Sequence, residues 1–237
     1  MIHRVSTRLS RQHLVIPRRS FFGINIGDIT SDRPPPKPLL NKWEPEEWTV
    51  TTDRKIGGKS KAACEAGEEG GIVFKGNTSL DLRQESRASK SGFCSLISPP
   101  LSESMFEASL ALDNHKALWI KMRKWDNRNY TVNLYPDSYI GGEIYQGYII
   151  DGRNSVSKEG AAEKTTLNPI QATEATKTPQ WMEVELPFEN FMLTKEGRVS
   201  EIQRKLDGIV RLKNIGVLLA DADEGEFRLD IMAIEAR

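Results

Sequence analysis

Cysteine and histidine are nearly missing from this 237-residue chain. It holds two cysteines, Cys64 and Cys94, and three histidines, of which only His115 lies beyond residue 22. Zinc and non-haem iron centres normally draw on several His or Cys ligands, so this composition argues against a metal site of that kind. The two cysteines do not have metal-site spacing, and whether they pair depends on the redox compartment. No serine sits in a Gly-x-Ser-x-Gly elbow that would partner His115 in a triad. His115 itself falls in the polar stretch Asp113-Asn114-His115-Lys116, which reads as a solvated turn. No two of the 18 glycines are separated by a single residue, which excludes the usual dinucleotide fingerprint. Long apolar runs are also missing. The longest, around Ile215 to Ala220, is too short to cross a bilayer.

Acidic residues are missing from one end. None precedes Asp28, whereas Arg4, Arg8, Arg11, Arg18 and Arg19 all do. On a helix Ile2, Val5 and Leu9 share one side and Arg4, Arg8 and Arg11 the other. This acid-free, Arg-rich amphipathic start (residues 1–22) has the pattern of a mitochondrial transit peptide and lacks the apolar region of a secretory signal. Over the whole chain 33 basic residues balance 33 acidic ones; without those five arginines, 28 (33 less five) face 33. A mildly acidic remainder argues against a nucleic-acid partner, which needs a basic footprint. Residues 23–42 read as a Pro-rich linker, because Pro34-Pro35-Pro36-Lys37-Pro38 suits neither helix nor ladder.

What is present is alternation. Across residues 105–136, Phe106, Ala108, Leu110 and Leu112 form one apolar set. Leu118, Ile120 and Met122 form a second, and Tyr130, Val132 and Leu134 a third. Period-two patterning puts these sets on a buried face. The intervening Asn/Asp-rich stretches predict turns, so the three runs read as an antiparallel meander on which the rest packs. Further strands are expected over residues 48–52, 62–66, 71–75, 93–98, 144–150, 181–186, 209–219 and 225–236. Residues 78–90 fit either a ragged hairpin or a short helix, and Ser200 is placed to cap a short helix through Leu206. Pro187 ends its strand, and Phe188 with Phe191 would pin the next corner into the core. Residues 151–180 hold no aromatic and read as a solvated insertion. About ten short strands at this spacing predict an all-β sandwich or barrel over residues 43–237.

Few stretches hint at chemistry. Gly58-Lys59-Ser60 ends like a phosphate-binding loop, but Asp53 stands where its first glycine belongs and no helix follows. Asp221-Ala222-Asp223-Glu224 is either a calcium-type oxygen cluster or a solvated turn, the second being the simpler reading. Trp119, Trp125, Tyr130 and Tyr135 lie near Lys121, Arg123 and Lys124. Trp119, Lys121 and Arg123 share the parity opposite to the core set, so they read either as an exposed binding surface or as a sheet face covered by another layer. Protein is the expected ligand of such a surface, because Trp, Tyr and Arg enrich protein hot spots. None of these stretches calls for a cofactor or metal.

One set of residues carries a family likeness. Trp48 with Asp53-Arg54, Gly57-Gly58 and Ser60 resembles the opening signature of the complex I intermediate-associated protein family, the thirty-kilodalton assembly factor. Gly92-Phe93, Tyr130, Tyr145, Trp181 with Pro187-Phe188 and Phe191, Gly216, and Gly225-x-Phe227-x-Leu229 continue it in order. The insertion 151–180 departs from that pattern. The resemblance implies a jelly-roll β-sandwich, similar to galactose-binding domains, and a non-enzymatic mitochondrial chaperone. Such a chaperone works in the matrix against the inner membrane, on membrane-arm intermediates of complex I and with other assembly factors. It also implies that Cys64 and Cys94 are reduced, packed thiols. Within the signature, Asp53 and the glycines read as a structural turn, with Arg54 and Lys59 as residues it could present to a partner. The alternative from another class is a carbohydrate-binding module, since jelly rolls often hold sugars on aromatic platforms.

Overall fold

A computed structural model describes residues 34–84, 86, 88, 91–102, 109–149 and 178–237. Among these, the apolar alternation becomes fourteen strands in two antiparallel sheets. In chain order they are β1 (Lys37–Pro38), β2 (Thr49–Thr52), β3 (Lys61–Ala66), β4 (Ile72–Thr78), β5 (Cys94–Ile97), β6 (Leu110–Ala111) and β7 (Ala117–Lys124). There follow β8 (Tyr130–Pro136), β9 (Glu143–Tyr148), β10 (Met182–Pro187), β11 (Met192–Lys195), β12 (Arg198–Val199), β13 (Arg211–Leu219) and β14 (Gly225–Ala236). The six-stranded sheet runs β10-β7-β14-β4-β3 with β1 on β14. The eight-stranded sheet runs β12-β11-β9-β8-β13-β5-β2 with β6 on β13. The chain is a jelly-roll β-sandwich.

The three alternating runs do not form a meander. β7 belongs to the six-stranded sheet, whereas β6 and β8 belong to the other. Leu118, Ile120 and Met122 point into the core from one side and Tyr130, Val132 and Leu134 from the other. Alternation tells which side chains go inward, not which sheet they hang from. The turn after β7 climbs across the sandwich on Asp126, whose carboxylate accepts from Arg128 N at 3.0 Å, Tyr130 Oη at 2.7 Å and Arg228 N at 2.8 Å. Phe106 and Ala108 lie outside the described residues, as does most of the insertion 151–180. The leader 1–22 and the start of the linker also lie outside them.

Other expectations need correcting. Residues 200–206 form no helix. The Gln203 side chain reaches β11 instead, accepting from Leu193 N and donating to Leu193 O, both at 2.8 Å, as a neighbouring strand would. Within residues 78–90 the described part is the end of β4 and an irregular return bridged at Leu82 to Gly58. The segment read as linker joins the fold before Trp43: β1 pairs with Ala236 and Glu235, and Leu39 and Leu40 are buried. Pro38 is tolerated because β1 is a short edge strand. His115 is not solvated. Its ring is buried between two carbonyls, Nδ1 against Leu112 O and Nε2 3.0 Å from Pro35 O. Phe188 and Phe191 do pack edge to face at the corner after β10, with centroids 6.2 Å apart.

Register sorts the outward side chains of the eight-stranded sheet into rows. One row crosses Met192, Gln146, Asn133, Gly216, Ile97 and Thr49. The next crosses Tyr148, Thr131, Leu218, Ser95 and Thr51.

Candidate partner-binding surface

The signature turn is held together by its own side chains. After β2 the chain makes a 3-10 turn over Asp53–Ile56, and Gly57 ends it at φ 95°, a left-handed conformation that glycine alone enters without strain. Asp53 is fully buried, and its carboxylate ties three segments together. It accepts from Ser60 N at 3.0 Å, Ser60 Oγ at 2.8 Å and Gly92 N at 2.6 Å. Ser79 N in turn donates to Ser60 Oγ at 3.0 Å. A Cβ on Gly58 would lie 2.2 Å from Asp53 Cγ, so glycine is required there for space. Asp53, standing where a phosphate loop has its first glycine, places a negative charge in the cradle itself. Arg54 and Lys59 stay on the surface, Lys59 in an exposed ion pair with Asp81 at 2.8 Å. Trp48 is buried and stacks on Trp43 with centroids 5.8 Å apart; its Nε1 has no acceptor among the described residues.

On the outward face of the six-stranded sheet, the aromatic and basic residues assemble into a ladder. The Arg237 guanidinium lies 3.9 Å over Trp119, whose Nε1 donates to Glu183 at 3.3 Å. Arg123 lies 4.4 Å over Trp181 and 5.2 Å from the Trp125 ring, on which Arg228 sits at 4.2 Å. Asp230 Oδ2 is the centre: it accepts from Arg123 Nε at 3.0 Å, Arg123 Nη2 at 2.8 Å and Trp125 Nε1 at 2.9 Å. Glu69 closes the ladder, accepting from Arg123 Nη1 and Trp181 Nε1, each at 2.9 Å.

Charge settles accordingly. Burial by itself would raise the Asp230 carboxyl, but Arg228, Trp125 and Arg123 together hold it below the usual range. The Trp181 and Arg123 donors lower Glu69 in the same way. Burial works to lower the Arg123 guanidinium, and its bonds to Asp230 and Glu69 outweigh that and raise it.

The exposed reading of Trp119 and Arg123 therefore fails: both are buried, covered by guanidinium and indole groups rather than by another layer. Trp125 keeps 39% of its surface, beside an open cleft of about 540 Å³ lined by Lys61, Lys75 and Arg228. Tyr135 is on the other sheet. Its ring crosses Gly216, where a Cβ would meet Tyr135 Cε2 at 3.2 Å and Leu96 O at 2.6 Å. Of the six residues expected to bind a partner, Trp119, Arg123 and Trp125 come together, while Arg54, Lys59 and Tyr135 lie elsewhere. Asp230 and Arg228 were legible as the outward alternates of Phe227, Leu229 and Ile231. Nothing local marks Arg237 or Glu69.

In the acidic turn after β13, Ala222, Asp223 and Glu224 are exposed, as the solvated reading expects, while the Asp221 side chain is covered. The Arg128 guanidinium occupies the turn, donating to Asp221 Oδ1 at 2.6 Å, to Asp221 Oδ2 at 2.7 Å and to Asp223 O at 2.7 Å. Burial would raise Asp221, and Arg128 with the Asn129 amide overrides it, leaving the carboxyl low. Cys64 and Cys94 are free thiols, and burial, the largest influence on each, pushes them up to about 12.

These features define a jelly-roll β-sandwich with a ladder of paired charges on one face. Its fold resembles that of the family 11 carbohydrate-binding module of a Clostridium thermocellum cellulosomal cellulase, with a TM-score of 0.45, 14% identity, and 84% of this chain and 95% of that one covered. The chain belongs to the family described as Complex I intermediate-associated protein 30, whose model matches residues 39–231. The mitochondrial Complex I intermediate-associated protein 30 of Mus musculus is 26% identical over 192 residues, 78% of this chain and 50% of that protein. Its Drosophila melanogaster counterpart is 26% identical over 194 residues, 78% of this chain and 56% of that protein. The chain thus spans about half the length of the curated relatives it matches.

Proposed function

We propose that this protein is a non-enzymatic assembly factor of mitochondrial respiratory complex I. It binds unfinished membrane-arm intermediates from the matrix side, in contact with the inner membrane and with other assembly factors, and holds them until later subunits dock. The family match over residues 39–231 carries this reading. The geometry supports it. The ionisable groups of the Trp–Arg ladder satisfy one another across a sheet face instead of converging on a cavity, which suits a scaffold better than a reaction centre. Of the residues expected to touch a partner, Arg54, Lys59 and Trp125 have the free surface to do so, while Trp119 and Arg123 act by bracing the sheet. The carbohydrate-module alternative needs bare aromatic platforms, and on the six-stranded sheet the rings of Trp119, Trp125 and Trp181 each carry a guanidinium.

Deleting the gene tests the reading. Native gels of mitochondrial membranes are expected to show loss of assembled complex I and accumulation of membrane-arm fragments, both reversed by restoring the full chain. A normal level of complex I in the deletion would refute it.

A further inference from the structure

The two outward faces of the sandwich differ in charge. Across the six-stranded sheet a single row reads Arg123, Asp230, Val73, Glu65, the neighbouring one Glu183, Lys121, Ala233, and the one after that Glu185, Trp119, Glu235. The two rows across the eight-stranded sheet, through Gln146 and through Thr131, contain no charged residue, in a chain that is 28% charged. Solvated sheet faces carry charge, and the cores of protein interfaces shed it while gathering Tyr and Met. From β11 to β2 this face spans about 24 Å at the usual strand spacing, enough for the core of a standard interface.

The chemistry of the exposed atoms narrows the occupant. Two of the buried hydrogen-bonding groups of this face, Asn133 and Thr194, are matched internally. Asn133 Oδ1 accepts from Gln146 Nε2 at 3.0 Å, and Thr194 Oγ1 donates to Ile144 O at 3.0 Å. The projecting side chains are uncharged: Tyr148 is 54% exposed and Met192 38%, Val199, next to Thr194 in register, is 62% exposed, and Thr49 is exposed at the far edge. A sugar needs convergent donors and acceptors, which the exposed Met192 and Val199 do not offer, and an anionic bilayer favours a basic face. An apolar, uncharged protein surface needs neither.

We propose that this outward face of the eight-stranded sheet, with Tyr148 and Met192 as its projecting anchors, is where the protein docks on the uncharged surface of a partner polypeptide. The inference rests on the assembly reading and names the side on which that partner sits. The other face, with its ladder of paired charges, stays in solvent.

Full-length protein carrying both Tyr148→Glu and Met192→Glu tests this in mitochondria lacking the endogenous copy. Both side chains are exposed, so the thermal midpoint should not move. Co-migration with assembly intermediates on native gels is expected to fall at least tenfold, while Glu185→Arg on the opposite sheet leaves it unchanged. A double variant that co-migrates like the wild type overturns the proposal and leaves the assembly reading standing. Wild type that co-migrates with no intermediate removes both. A photo-crosslinker at position 148 should give adducts with another polypeptide, whereas adducts only with lipid, or only with a second copy of this chain, would overturn the inference.

Discussion

At the residue scale, two buried carboxylates do what a first look would assign to a ligand. Asp53 fills the cradle that Gly57, Gly58 and Ser60 outline, and Arg128 stands where a cation would sit beside Asp221. Removing either leaves buried partners unsatisfied, which costs more than the bonds themselves are worth. Asp53→Ala strands the amides of Ser60 and Gly92, and a loss of about 2–4 kcal/mol is expected from the shift of the urea midpoint at constant slope. Gly58→Ala should cost at least 1 kcal/mol through overpacking against Asp53, while Lys59→Ala, which breaks only an exposed pair, should change little.

Element by element, the alternation of apolar residues was legible and its consequences were only partly so. β7, β8, β10 and β14 appear where period-two patterning places them. Their partners do not follow, because nothing in Leu118-Trp119-Ile120 states whether the strand after the next turn pairs beside it or faces it across the core. Asp126 holds the crossing, accepting from Arg128 and Tyr130 nearby and from Arg228 on β14. Asp126→Ala is expected to destabilise by about 2 kcal/mol, chiefly by leaving the Tyr130 hydroxyl without its acceptor. Asp126→Asn should recover part of that loss in the same denaturation series. The helix expected over residues 200–206 failed for a related reason: Gln203 gains more by bonding to Leu193 on β11 than a short exposed helix would supply.

For the whole molecule, several carboxyls are held low by cationic and indole neighbours, among them Asp221, Asp230 and Glu69. A carboxyl whose folded value lies below its unfolded one, near 3.9 for Asp and 4.3 for Glu, contributes stability that is complete above that range. The contribution is lost as pH falls through the folded value. Stability should therefore be flat for these groups from pH 5 to 7 and decline below about pH 4. Asp221→Asn should lie well below wild type at neutral pH, and the gap should close on acidification, as followed by thermal midpoints across pH.

The sandwich also divides its surface. One outward face pairs charges through Arg123, Asp230 and Glu69, and the other carries none along its two central rows. The candidate surface was legible in part. Trp119, Arg123 and Trp125 were recognisable from parity and composition, but Arg237, Glu69 and Arg228 reach them from strands and turns far along the chain.

The sequence by itself determined the class of fold, the inward and outward side of most strands, and the family signature, because these depend on near neighbours and on a period of two. Only the tertiary structure decided which strand hangs from which sheet, which carboxylate meets which guanidinium, and which face is left uncharged. Those are pairings between distant residues, and their energy exists only once the two sheets have closed on one core.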